Sequence, residues 1–304
     1  MEMTQSLKRN RMNANDIQGI NKQTLLQKMK SYTRHPQSLG LLILVVLSAM
    51  VTIGILVFLI GYILLNGIMN FSMDLFAWEY TTDNVSMLPA MINTLYMTSL
   101  TLLMAVPVGV FSAIYLVEYA KRGNKIVNIV RITTETLQGI PSIVYGLFGY
   151  LMFCIRFDWG YTLLAGSVTL AIMVLPIIMR TTEEALLAVP DSYREGSFGL
   201  GAGKLRTVFK IVLPSAMPGI VAGVILAIGR IVGETAALIF TAGTVATVAD
   251  GLFDSTRTLA VHMYCLLNEG LYMDQAYATA VVLLIMVLGI NVLSGYVTNK
   301  FTNR

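Results

Sequence analysis

Long uncharged runs, separated by short polar stretches, dominate the hydrophobic pattern. "LGLLILVVLSAMVTIGILVFLIGYILL" (39–65) and "MINTLYMTSLTLLMAVPVGVFSAIYLV" (91–117) carry no charge at all. "GIPSIVYGLFGYLMFCI" (139–155), "TLLAGSVTLAIMVLPIIM" (162–179), "PSAMPGIVAGVILAIG" (214–229) with its continuation, and "AYATAVVLLIMVLGINVLSGYV" (276–297) follow. A hydrocarbon core of about 30 Å needs about 20 apolar residues in a helix. Six spans are therefore predicted, in an all-α integral membrane protein. Residues 1–39 form a polar segment of mixed charge. They are too long and too polar for a secretory signal, and their first part is expected to be disordered. The membrane-embedded body is placed at 40–304, with one long polar loop at 180–214.

Composition agrees with the pattern: 56% of residues are hydrophobic and only 12% charged, about half the share of a soluble domain. Two cysteines give neither a disulfide framework nor a metal-ligand spacing, and no Ser/His/Asp-like set points to an enzyme. The basic residues set the orientation. With a cytoplasmic N-terminus, all but Arg156, Arg230 and Arg257 of the 21 Lys and Arg fall on the inner side, as the positive-inside rule requires. Both termini are then cytoplasmic. The net charge of +4 reflects this orientation, and no basic stripe interleaved with aromatics points to nucleic acid.

Loop 180–214 contains "GLGAGKL", which is not a phosphate loop: Phe198 stands where its first glycine belongs, and Leu205 follows Lys204 instead of Ser or Thr. Two short helical segments fit the loop better, one after Thr182 and one starting from Asp191. The second has apolar residues near helical spacing, which suits either an ordinary interfacial helix or docking on a partner. Its spacing resembles the "EAA" loop of ABC-importer permeases: Glu195-Gly196-Ser197, three residues, Gly201, nine residues, Ile211, one residue, Leu213-Pro214. In that family the loop forms the coupling helix that docks on an ATPase subunit. Gly196 and Ser197 replace the usual alanines, so a weaker helix is expected. A large side chain at Gly201 is expected to clash with a docked partner.

"AVPVGVFSAIYLVEYAKR", "RITTETLQGIPSIVYGLFGY" and "PGIVAGVILAIGRIVGETAAL" resemble the phosphate branch of these permeases, and "RTLAVHMYCLLNEG" is similar to its PstA-type subunit. The resemblance implies the ABC importer permease fold, a PstC-type second permease, an ATPase subunit dimer and an extracytoplasmic phosphate-binding protein in a bacterial inner or plasma membrane, with lipid around it. It implies no cofactor on this chain; ATP and Mg belong to the ATPase. A permease for sulfate or molybdate, or a self-sufficient channel or carrier, remains an alternative.

Charges inside apolar runs mark candidate sites. Arg230 and Glu234 are four apart, as are Arg131 and Glu135, a spacing that shares a helix face. For Arg230, either a buried structural pair with Glu234 or a translocation path lined by both fits the sequence. For Arg131 and Glu135, a snorkelling interfacial arginine competes with a path role. "QGIPS" breaks the helix after Arg131, because Pro141 lacks an N–H and restricts Ile140. Broken helices in transporters expose N–H groups to anions, which makes Gly139 and Ser142 further path candidates. His262 is expected to be a surface or packing residue. The apolar segment 235–248 is left open as a re-entrant stretch.

Overall fold

In a computed structural model, the structure describes residues 36–121 and 123–302, and the side chains of 37–121 and 123–296. The expected disorder of the N-terminal segment falls on residues 1–35, outside the described residues. The chain divides into two compact units, 1–62 and 63–304. In the first, the described residues are the start of helix α1 (Pro36–Met69), uncharged and predominantly apolar as far as the unit boundary.

The second unit is helical. Helix α2 (Leu88–Ile114) continues into a wider π-helical turn at Tyr115–Tyr119, where the Ala120 N–H reaches back to the Tyr115 carbonyl. Helix α3 (Lys125–Gln138) and helix α4 (Ser142–Gly149, extended by a π-helical run Tyr150–Arg156) follow. Helix α5 (Leu163–Leu187) leads to α6 (Asp191–Gly199) and α7 (Lys204–Thr207), then through a π-helical turn Val208–Val212 into α8 (Leu213–Val232). Short α9 (Ala236–Thr241), α10 (Leu259–Glu269) and long α11 (Met273–Thr302) complete the order.

Five helical segments are long and apolar enough to span: 37–69, 88–119, 163–187, 204–232 and 273–296. The third predicted span is different. The stretch 139–155 is not one crossing helix. Its helical part, 142–156, rises about 22 Å at 1.5 Å per residue, short of the ~30 Å hydrocarbon core. It meets α3 at a bend of 103°. The cause is local: Gly139 ends α3, and Pro141 cannot donate to it. Six spans are reached only if this bent pair counts as one.

Helix α5 is the most enclosed of the five, with 67% of its apolar window buried. Small residues let α8 approach it closely. A Cβ on Gly219 would stand 2.6 Å from that of Ala185, and one on Gly223 would strike Thr181. This four-residue small spacing is the usual membrane solution, because lipid supplies no hydrophobic drive between helices. The main core joins α2, α4, α5, α8 and α9 around Met97, Tyr145, Leu170, Val174, Ile231 and Leu238. A second, smaller core gathers Ile114, Leu186, Val189, Val208, Val212 and Ile220 where the loop 180–214 begins and ends. The stretch 235–248 folds back inward: Ala237, Leu238, Thr241 and Ala242 are buried, and a Cβ on Gly146 would lie 2.8 Å from the Ala237 backbone.

Candidate functional site

The two sequence-spaced charge pairs are not pairs in the structure. Helix α8 ends at Val232, with Gly233 closing it. Glu234 therefore leaves the face that carries Arg230. Its carboxylate is buried and accepts the Ala237 N–H at 3.1 Å, capping the start of α9. Arg230 is exposed, and its guanidinium has no ion pair among the described residues. It stands in the last turn of α8, where a cation complements the partial negative charge of the helix end. It also lies within electrostatic reach of the Tyr145 phenol on α4.

Tyr145 donates to the Leu137 carbonyl at 2.8 Å, across the break between α3 and α4. Leu137, Ile140, Tyr145, Ala227 and Ile231 belong to one core cluster. The corner that carries Gly139 and Ser142 and the end of α8 that carries Arg230 are thus packed into the same region. Gln138 pins that corner to α5, donating to the Pro176 carbonyl at 3.1 Å.

Arg131 and Glu135 turn instead to α5. Arg131 pairs with Glu183 at 2.5 Å and Glu135 with Arg180 at 3.4 Å, while Arg180 also holds Glu184 at 3.0 Å. Together they line a cleft of about 270 Å³. Helical spacing within α3 gave no sign of α5 as the partner. Among the described residues no group of three or more His, Cys, Asp and Glu could hold a metal ion.

The loop 180–214 has a defined construction. Gly201 has φ +82 and follows the end of α6. The Gly201 N–H reaches the Phe198 carbonyl at 2.9 Å, and the Ala202 N–H reaches that of Ser197 at 3.1 Å. This pair of bonds is the Schellman ending, which needs a left-handed residue. A Cβ at Gly201 would meet nothing within 4 Å. Glycine is thus demanded by the chain's own backbone, a physical reason that the expected clash with a partner did not include.

Ser197 is buried, its hydroxyl 2.8 Å from that of Thr207, which also donates to the Gly203 carbonyl. Ser197 thereby joins α6 to α7, where the sequence suggested only a weaker helix. Glu195 and Gly196 are exposed on α6. Ile211 lies in the π-helical turn before α8, and Leu213-Pro214 open α8 itself. Large apolar side chains face outward across the loop: Tyr193, Phe198, Leu205 and, 91% exposed, Leu200. A polar helix pair that presents such residues is a surface built to be covered.

The family model described as binding-protein-dependent transport system inner membrane component matches residues 105–301. The chain belongs to that family. The permease is 35% identical over 268 residues to the probable ABC transporter permease protein YqgI of Bacillus subtilis, covering 81% of this chain and 89% of that one. It is 33% identical to the phosphate transport system permease protein PstA of Haemophilus influenzae (71% and 77% covered) and 40% identical to PstA 2 of Mycobacterium bovis (59% and 61%). Among solved structures, a bacterial alginate ABC transporter aligns over 90% of this permease and 97% of its own chain, with a TM-score of 0.66 at 16% identity. The MetNI methionine transporter covers 69% and 93%, with a TM-score of 0.56 at 23% identity. These likenesses establish an importer-permease fold in a multi-pass membrane protein that serves transport rather than catalysis.

Three features were not foreseen, namely helix α10, the buried Arg257 and the bonds of Arg194; of the two expectations for His262, packing is the one found. Helix α10 was not predicted, although Thr258 before an apolar run is an ordinary start signal. His262 on α10 is fully buried, and among the described residues neither ring nitrogen has a hydrogen-bond partner. It lies outside the spanning helices, and burial with the nearby Arg257 charge pushes its pKa down to about 3. Arg257, itself buried, stacks 4.5 Å from the Tyr80 ring. Arg194 on α6 bonds Glu118, 76 positions away in the chain.

Proposed function

We propose that this chain is the permease subunit of an ATP-driven importer for inorganic phosphate, the PstA-type half of a translocation path. Family membership implies an ATPase and a binding protein as partners. The finer assignment is a PstC-type second permease, two ATPase subunits that hold ATP and Mg, and an extracytoplasmic phosphate-binding protein. Both termini lie in the cytoplasm, as the distribution of Lys and Arg requires.

The observation that carries the anion path is Arg230. A guanidinium without a carboxylate partner among the described residues, held beside a broken helix, is available to an oxyanion. Its planar fork bonds two phosphate oxygens and stays charged at any working pH. Gly139 and Ser142 supply backbone at the break where helix α4 begins; of its first-turn N–H groups, that of Val144 is bonded to the Pro141 carbonyl at 3.0 Å. Glu234 is not the gatekeeper of Arg230; it shapes the turn that carries the chain from α8 into α9. Arg131 and Glu135 belong to the cleft between α3 and α5, further along the same path. The loop with Glu195, Gly196, Gly201, Ile211, Leu213 and Pro214 docks on the ATPase through the exposed Tyr193, Phe198, Leu200 and Leu205.

The test is reconstitution of the permease in liposomes with the ATPase, the second permease and the phosphate-binding protein. ATP turnover that rises with phosphate and not with sulfate or molybdate supports the proposal. Turnover driven by sulfate or molybdate instead assigns another oxyanion.

A further inference from the structure

Arg194 on α6 uses all five of its N–H donors. Its Nε and Nη2 bond Glu118 Oε1 at 3.0 and 2.8 Å, Nη2 also reaches the Leu186 carbonyl at 2.9 Å, and Nη1 bonds the Val189 carbonyl at 2.8 Å and Asp191 at 3.2 Å. The Arg194 and Glu118 side chains are only 15% and 8% exposed. Glu118 sits in the π-helical turn that ends α2, a distortion often found where helices do work. Leu186 and Val189 are at the end of α5. One side chain thus joins the loop helix to the cytoplasmic ends of two core helices, directly over the small core shared by α2, α5 and α8.

The contacts of α3 are of another kind. Three of the four side chains in its pairs with α5 are widely exposed, 45% for Arg131, 46% for Arg180 and 62% for Glu135, and only Glu183 is enclosed, at 15%. Only Val127 of α3 is buried. The Arg180–Glu135 pair, solvated on both sides and 3.4 Å apart, exchanges readily with water and holds little.

We infer that Arg194 is the positioning residue that ties coupling helix α6 to the ends of α2 and α5, so that these move as one body while the α3–α5 cleft is the seam that yields. This rests on the importer function proposed above. A push from the ATPase on α6 then reaches α2 and α5 through Arg194, because its bonds to Glu118, Leu186 and Val189 are shielded from water. The seam changes shape at little cost, next to the broken corner and Arg230. Lysine cannot replace the arginine: one ammonium has three donors and no fork for a carboxylate and two carbonyls at once.

The experiment uses the assembled importer with Cys154 and Cys265 replaced by serine. Arg194→Lys should still co-purify with the ATPase and hydrolyse ATP, yet phosphate taken up per ATP should fall about tenfold, within the usual span of coupling effects. A purely structural role would lower assembly and turnover together and leave that ratio unchanged. Glu118→Cys with Arg194→Cys should be uncoupled when reduced and recover when a short bifunctional thiol reagent bridges the pair. Glu135→Cys with Arg180→Cys should do the reverse, working when free and stopping when bridged. Normal coupling in the unbridged 118/194 variant, or a block caused by bridging it, overturns the inference. Absence of phosphate-driven turnover in the parent importer would instead count against the function itself.

Discussion

Replacing Gly201 separates backbone strain from partner contact. At φ +82 an L residue with a Cβ costs about 1–2 kcal/mol relative to its ordinary conformations. Nothing within 4 Å of a Cβ there adds a steric charge to that figure. The strain falls on the two bonds that end α6, so the Ala202 N–H should open about 5–30 times more often in Gly201→Ala, at 1.4 kcal/mol per tenfold. Asparagine tolerates the left-handed region better than alanine, so Gly201→Asn should open less often than Gly201→Ala despite its larger side chain. Hydrogen exchange at Ala202 in the detergent-purified permease, without the ATPase, reads this directly. ATPase co-purification should follow the order Gly, Asn, Ala. An order of Gly, Ala, Asn in both measurements would show that side-chain size governs the site and would refute the backbone explanation.

Other expectations follow from the same geometry. Because Arg230 and Glu234 are not paired, the stability effects of Arg230→Gln and Glu234→Gln should add to within about 0.5 kcal/mol in a double-mutant cycle, with most of the loss in the Glu234 variant, which loses the charged cap of α9. Thr207→Val should cost about 1–3 kcal/mol, because it strands the buried Ser197 hydroxyl; Ser197→Ala should cost less, since Thr207 keeps the Gly203 carbonyl, and thermal unfolding of the two variants compares them. His262 is held neutral in the fold down to about pH 3, whereas in the unfolded chain it takes a proton near pH 6.5. Stability should therefore be full above pH 6.5 and fall as pH drops below it, by on the order of 2 kcal/mol at pH 5. His262→Phe should flatten that part of the pH–stability curve.

Much of this was legible in the sequence because bilayer thickness dictates run length: five of the six uncharged runs became single helices. The sixth misled because apolar composition does not reveal a bend, although Gly139 and Pro141 marked its place. The charge pairs misled for a related reason. A four-residue spacing shares a face only inside one helix, and Gly233 ends α8 between Arg230 and Glu234. Arg131 and Glu135 do share α3, but stronger neighbours on α5 take both. The loop pattern around Glu195 was readable residue by residue. The Arg194 tie was not, since its partner Glu118 is 76 positions away and no local spacing connects them. Gly201 could have been understood earlier, as a glycine just past a helix is the common left-handed ending.

The most direct test of the anion path is phosphate uptake by the assembled importer carrying Arg230→Gln. The side chain is exposed and has no ion pair among the described residues, so the variant should insert, bind its partners and hydrolyse ATP. Phosphate uptake should be lost, and Arg230→Lys, which keeps charge without the fork, should restore only part of it. Near-normal uptake by the glutamine variant would contradict the assignment and leave Arg230 as the cation that complements the end of α8.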